Sequence, residues 1–214
     1  LVFYRLMRER LDRSAASWAV LFLAAGPMAA MFQVGYAESL NLLWLMLALW
    51  CVVRRRFWWL YLLVPLMGFT RPGVLAFSLL LALYGIWRWM QRRNDPLPLS
   101  HIVHIVVLGL WALLVGFSWQ IIAGLVTGDP GAYLATELSW RIAWVGDGPF
   151  IPFVAWAQAA EFWFTQWGLG NVTGYVVLAA LVLAFAAALI WLPAVRRLGV
   201  EVRLWAAAYA VYLL

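Results

Sequence analysis

The sequence predicts an all-α, polytopic transmembrane bundle of about seven spans, and three observations carry that prediction. Of 214 residues, 67% are hydrophobic and 11% charged, whereas soluble domains are roughly 45–50% apolar and about 25% charged. No water-facing fold of this size has enough interior to hide so much apolar surface, so lipid is the fitting solvent. The apolar residues also fall into long runs with few charges. Finally, the arginines collect in alternate connectors between those runs, as topology signals do. Sixteen Trp and eight Tyr, many of them flanking the runs, suit the interfacial belts where amphipathic rings settle.

Residues 1–13 hold four arginines and are too charged for a signal peptide. Apolar runs then cover residues 18–34, 40–53, 57–69, 74–90, 102–126 and 173–192, and a seventh opens near Leu204. A span needs about 20 residues, within a range near 17–25. The second and third runs therefore reach a full span only by extending through their polar neighbours. The chain opens on Leu1 rather than Met and stops at Leu214 inside an apolar run. It reads as a fragment with both ends missing, forming a single transmembrane domain over residues 1–214. Cys51, the one cysteine, permits no internal disulfide and reads as a small core residue.

All fifteen basic residues are arginines. Arg5, Arg8, Arg10 and Arg13 precede the first run, and Arg54, Arg55 and Arg56 follow the second. Arg88, Arg92 and Arg93 close the fourth, while Arg196, Arg197 and Arg203 follow the sixth. Thirteen of the fifteen thus share one side, which the positive-inside rule makes cytoplasmic. Such a distribution argues for a multi-pass cell-membrane protein and against a nucleic-acid patch.

The opposite, extracytoplasmic side receives residues 35–39, 70–73 and a long loop, 127–172. That loop mixes the turn signals Gly128-Asp129-Pro130-Gly131 and Gly146-Asp147-Gly148-Pro149 with an aromatic stretch. There Phe153, Trp156, Ala160, Trp163 and Trp167 recur at steps of three or four. The period predicts a helix, either lying in the interface or packed as a short core helix.

Glu38 lies 16 residues before Arg54, and Arg71 lies 15 residues after Arg56. At about 1.5 Å per helical residue, both rise roughly 22–24 Å from the arginine-rich corner. An acid and a cation then share a depth on sequential antiparallel helices. Two readings are open: a structural ion pair, or a polar site opening outward in which the guanidinium holds a phosphate. Pro72 and Gly73 break the helix beside Arg71 and would turn backbone groups toward such a site. Asp129 precedes Pro130 and is expected to cap a helix, while Glu137 and Trp140 would share one face. His101 and His104 are spaced i, i+3, but without nearby acids or thiols they read as helix-end residues, and no metal site is expected.

The run Gly35-Tyr36-Ala37-Glu38-Ser39-Leu40, the arginines with Trp58-Trp59, and Thr70-Arg71-Pro72-Gly73 resemble the PIG-V-type mannosyltransferases. Within that GT-C superfamily, bacterial members are the most similar. Thr127-Gly128-Asp129-Pro130, leading to Tyr133, Glu137 and Trp140, is similar to a stretch of the family's large outer loop. The resemblance covers about residues 17–170. It implies a GT-C-like bundle that transfers mannose on the extracytoplasmic face. The donor would be a polyprenyl-phosphate-linked sugar acting as co-substrate, the acceptor a glycan or glycolipid, with no further cofactor. Substrate contacts would come from Tyr36, Glu38, Ser39, Arg71, Asp129, Glu137 and Trp140. The catalytic carboxylate would sit in a loop upstream of Leu1. Two departures stand out: the Thr-Arg-Pro-Gly element is one residue short, and Glu137 replaces an expected Gln. A transporter or flippase of lipid-linked sugars, with Glu38 and Arg71 lining its path, is the alternative; an assembly subunit without chemistry is a third.

Overall fold

Every regular element among the described residues is helical. The computed structural model describes the chain except Gln33, Gly35, 146–150, Pro152 and Leu214, with backbone alone at Met28, Arg141 and 143–145. In chain order the helices are α1 (Val2–Arg8), α2 (Arg13–Ala25), α3 (Glu38–Val53), α4 (Leu60–Thr70), α5 (Leu75–Met90) and α6 (Leu99–Gly116). There follow α7 (Ser118–Thr127), α8 (Ala132–Val145), α9 (Val154–Gln166), α10 (Asn171–Trp191), α11 (Pro193–Arg196) and α12 (Val200–Leu213). Two compact units emerge: Leu1–Phe117 with Pro193–Tyr209, and Ser118–Leu192 with the chain from Ala210.

Two helical stretches are long and apolar enough to cross a membrane, Leu99–Thr127 with 29 residues and Asn171–Trp191 with 21. The remaining apolar helices are shorter, and local chemistry explains where each stops. The run at 18–34, read from sequence as one span, is broken. Asp12 caps α2 by accepting the Ala15 N–H at 2.8 Å, and the helix ends before Pro27. Gly26 is extended (φ −70, ψ 169), because a proline forces its predecessor out of the helical region. A short 3-10 turn, Pro27–Phe32, follows. The run at 57–69 likewise opens as a 3-10 turn, Phe57–Trp59, before α4 begins. The fifth run starts earlier than its apolar residues suggest, at Leu99 directly after Pro98, and is interrupted at Phe117.

In the first unit α4 packs against both α3 and α6, and α5 packs on α6. Leu60 and Val64 of α4, Phe77, Leu80 and Leu81 of α5, and Leu108 and Ala112 of α6 have no exposed surface. Gly68 lets α4 approach α6 closely, since a Cβ there would lie 2.4 Å from Val115 Cγ1; small residues serve this purpose between apolar helices. Pro65 inside α4 cannot donate to the Tyr61 carbonyl one turn earlier. Trp111 of α6 supplies the missing donor, its indole N–H lying 3.2 Å from the Tyr61 oxygen.

The arginine-rich end is closed by acids that the connector pattern alone did not single out. Glu9 accepts from Arg54 Nε and Nη2 at 2.9 and 2.7 Å and from the Trp50 indole at 2.8 Å. Asp95 bonds both Arg55 and Arg88. The wholly buried Arg88 also donates to the Pro96 carbonyl at 3.0 Å. Arg55 adopts a left-handed backbone (φ 54), a conformation costly for a side-chain-bearing residue, and its bonds to Asp95 hold it there. Arg10 reaches both oxygens of the buried Glu201 at 3.1 Å. In the second unit α9 packs along α10, where Gly174 sits so close that a Cβ would lie 2.7 Å from the Ala160 carbonyl.

Trp111→Phe should cost about 1–3 kcal/mol, the penalty of an orphaned buried carbonyl, read as a lower melting temperature in detergent. Pro65→Ala, which restores the helical donor, should shrink that cost. The hydrogen bond from Arg55 holds the Asp95 carboxyl below its ordinary value of 3.8. The bond from Arg54 likewise lowers Glu9 from 4.5. Acids depressed by folding add stability above their unfolded values and lose it as pH falls through the lower folded ones. The melting temperature should therefore hold from neutrality down to these ordinary values and drop below them, with a smaller acid-side drop in Asp95→Asn.

Candidate functional site

At the other end of α3 and α4 the chain places one carboxylate and one guanidinium together. Glu38 is the first residue of α3, where the helix dipole favours an anion. Arg71 follows the last residue of α4, where the dipole favours a cation. The two helices are antiparallel neighbours, so each charge is stabilised by its own helix and meets the other. Arg71 Nη1 donates to Glu38 Oε1. Proline again sets the geometry: Pro72 forces Arg71 into an extended conformation (φ −157, ψ 143), which ends α4 and swings the side chain toward α3. Gly73 then turns the chain into α5 with φ 136, a region open mainly to glycine.

The pair is only partly satisfied. Arg71 has half of its side chain exposed, while the Glu38 side chain is 21% exposed. Glu38 Oε2 is buried without a hydrogen-bond partner among the described residues, and so is Asn41 Oδ1. Residues three apart on a helix face the same way, so α3 presents two unmet acceptors on one face next to a guanidinium with donors to spare. Buried acceptors without donors are uncommon and costly. They match a ligand that brings hydroxyl donors for the acceptors and an anion for the arginine. Asn41 was missed in the sequence, although a lone amide one turn into an apolar run, at i+3 from Glu38, was the available signal.

The other expected site residues are placed as follows. Tyr36 is exposed, at 65%, immediately before α3. Ser39 donates to the Phe32 carbonyl at 3.2 Å, tying α3 to the preceding 3-10 turn. Gly35 of the same motif lies outside the described residues. Asp129, Glu137 and Trp140 are carried by the second unit. The Asp129 carboxylate accepts the Gly131 N–H at 2.8 Å, a turn leading directly into α8, and its backbone oxygen accepts from Ala132 at 3.1 Å. Glu137 and Trp140 lie exposed on α8. Glu137 is hydrogen-bonded to Tyr133, whose phenol is pushed above its ordinary value first by burial and then by that carboxylate. The turn signal at 146–149 lies outside the described residues, whereas the aromatic stretch forms α9.

His104 Nδ1 lies 3.2 Å from the Tyr61 hydroxyl, and both histidine rings pack against Phe57. They belong to an aromatic cluster, and no group of three or more His, Cys, Asp and Glu converges among the described residues. Comparison of the chain with protein-family models, with characterised proteins and with solved structures finds no match.

Because Arg71 and Glu38 are paired, charge reversal of either should destabilise the protein and reversal of both should recover most of the loss. A coupling near 1 kcal/mol, at the upper end for partly exposed pairs, is expected from melting temperatures in a double-mutant cycle. Strictly additive effects would separate the two side chains.

Proposed function

We propose that this chain belongs to a multi-pass membrane glycosyltransferase of the GT-C type. It would transfer mannose from a polyprenyl-phosphate-linked donor to an extracytoplasmic glycan or glycolipid. The observation that carries the reading is the partly satisfied Glu38–Arg71 pair with two acceptors on α3 that have no donor among the described residues. A glycosyl phosphate supplies what this site lacks, an anion for Arg71 and hydroxyl donors for Glu38 Oε2 and Asn41 Oδ1. The orientation rests on the arginines: Arg54–Arg56 lie at the opposite end of α3 and α4 from Glu38 and Arg71, and the positive-inside rule assigns arginine-rich connectors to the cytoplasm. Six spans follow if the four shorter apolar helices cross together with Leu99–Thr127 and Asn171–Trp191, and α12 (Val200–Leu213) would make the seventh.

In the transfer, the acceptor hydroxyl oxygen attacks the anomeric carbon while the bond from that carbon to the phosphate oxygen breaks. Negative charge grows on the departing lipid phosphate, and Arg71, at the helix end and half exposed, stabilises it there. The hydroxyl proton passes to a carboxylate base, which the family resemblance assigns to the first outer loop of such enzymes. Glu38 orients the guanidinium through one oxygen and binds a sugar hydroxyl through the other. Tyr36 lies open to stack on a sugar ring. Asp129, Glu137 and Trp140 are proposed as further substrate contacts on the strength of the resemblance alone.

In the complete protein, Arg71→Ala should reduce sugar transfer by on the order of 10²-fold or more, the usual effect of removing a transition-state charge partner. Expression and membrane insertion should be unchanged. The double reversal of Glu38 and Arg71 should restore stability without restoring transfer, measured with a radiolabelled lipid-phosphate-mannose donor. Wild-type turnover in Arg71→Ala would remove that residue from the site.

A further inference from the structure

The helix pair that ends in Glu38 and Arg71 also frames an apolar groove toward its arginine-bearing end. Leu47 and Cys51 of α3 and Leu62 and Leu66 of α4 form its walls, and Arg54 and Arg56 stand among its lining residues. Its volume is ≈ 420 Å³, within the roughly 300–1,000 Å³ of small-molecule sites. We propose that this groove holds an acyl chain of an anionic phospholipid, with the lipid phosphate on Arg56. The proposal rests on the multi-pass membrane reading and is independent of the transferase chemistry.

The two arginines have different roles. Arg54 gives its Nε and Nη2 to Glu9 and lies over the Trp50 ring, 5.8 Å from its centre, so it is part of the wall. Arg56 is exposed, and among the described residues no acid lies within ion-pair distance of it. A cation beside a hydrocarbon-lined groove complements a molecule that is apolar along its length and anionic at one end. Trp59 also lines the groove and is 60% exposed, as an aromatic anchor at headgroup depth would be. The 16 residues from Glu38 to Arg54 put this end about 24 Å from the outer pair, so one headgroup cannot occupy both. A zwitterionic lipid offers the same chains but a compensated headgroup, which makes charge the discriminating property.

Cys51, the one cysteine of the chain, lines the groove and reports its occupancy. In detergent micelles, its alkylation by N-ethylmaleimide should slow about tenfold when phosphatidylglycerol is added, equivalent to ~1.4 kcal/mol. Phosphatidylcholine at the same concentration should protect far less, and high salt should abolish the difference. Arg56→Gln should lose the selectivity, whereas Arg71→Ala should keep it. Should Arg56→Gln fail to fold, the lipid selectivity and salt dependence of the wild-type chain decide the matter alone. Equal protection by both lipids, protection by inorganic phosphate alone, or retained selectivity in Arg56→Gln would overturn the site. Release of the chain from membranes by alkaline carbonate would overturn the membrane reading and this site together. Lipid selectivity in a complete protein that transfers no sugar would count against the proposed function and leave this site standing.

Discussion

A polar group surrounded by apolar side chains must find its partner within the protein, and in a chain this hydrophobic few partners are to hand. That scarcity organises the first unit. The carbonyl freed by Pro65 is met by an indole from the neighbouring helix. Arg88, buried completely, is met by Asp95 and the Pro96 carbonyl. Glu201 is met by Arg10. Each bond joins segments that are distant in sequence or in different elements, so satisfying the polar groups also fixes how the helices pack. The apolar contacts of α4, α5 and α6 supply bulk attraction, while these few bonds supply specificity.

The two ends of the α3–α4 pair solve the same problem differently. At the arginine-rich end, Glu9 accepts three donors and Asp95 is shared by two arginines, so the carboxylates are well supplied. At the other end, one guanidinium serves one carboxylate oxygen, and two acceptors have no donor among the described residues. Folding alone gives no reason to keep an amide and half a carboxylate without donors. The glycosyl phosphate proposed for this site would supply those donors.

The helical class was legible from composition and spacing, and the runs at 102–126 and 173–192 fall in the two helical stretches long and apolar enough to cross a membrane. So was the meeting of Glu38 and Arg71, because counting residues from the arginine corner up two helices brings both to one height. What escaped was set by partners remote in sequence. Nothing near Glu9 or Glu201 announces an arginine 45 or 191 residues away, and nothing near Asp95 announces that it binds Arg55, 40 residues away, besides the nearby Arg88. The break at Gly26-Pro27 was written in the sequence, but the continuous apolar run masked it. Asn41 was hidden differently: a single amide inside a hydrophobic stretch looks like noise until the neighbouring acid is seen to lack a donor. The hitch at Phe117 has no local signal of that kind.

Trp111 holds Tyr61 while Glu38 holds Arg71, so α4 is pinned at both ends of a ten-residue interval. Its length there is consequently a measured quantity. Inserting or deleting one residue between the two pins would turn one end about 100° relative to the other, and one of the two contacts would have to be abandoned. Side chains in that interval are free to vary within the limits of packing; their number is not. The segment acts as a gauge block between two helices, and the site at its end inherits its tolerance.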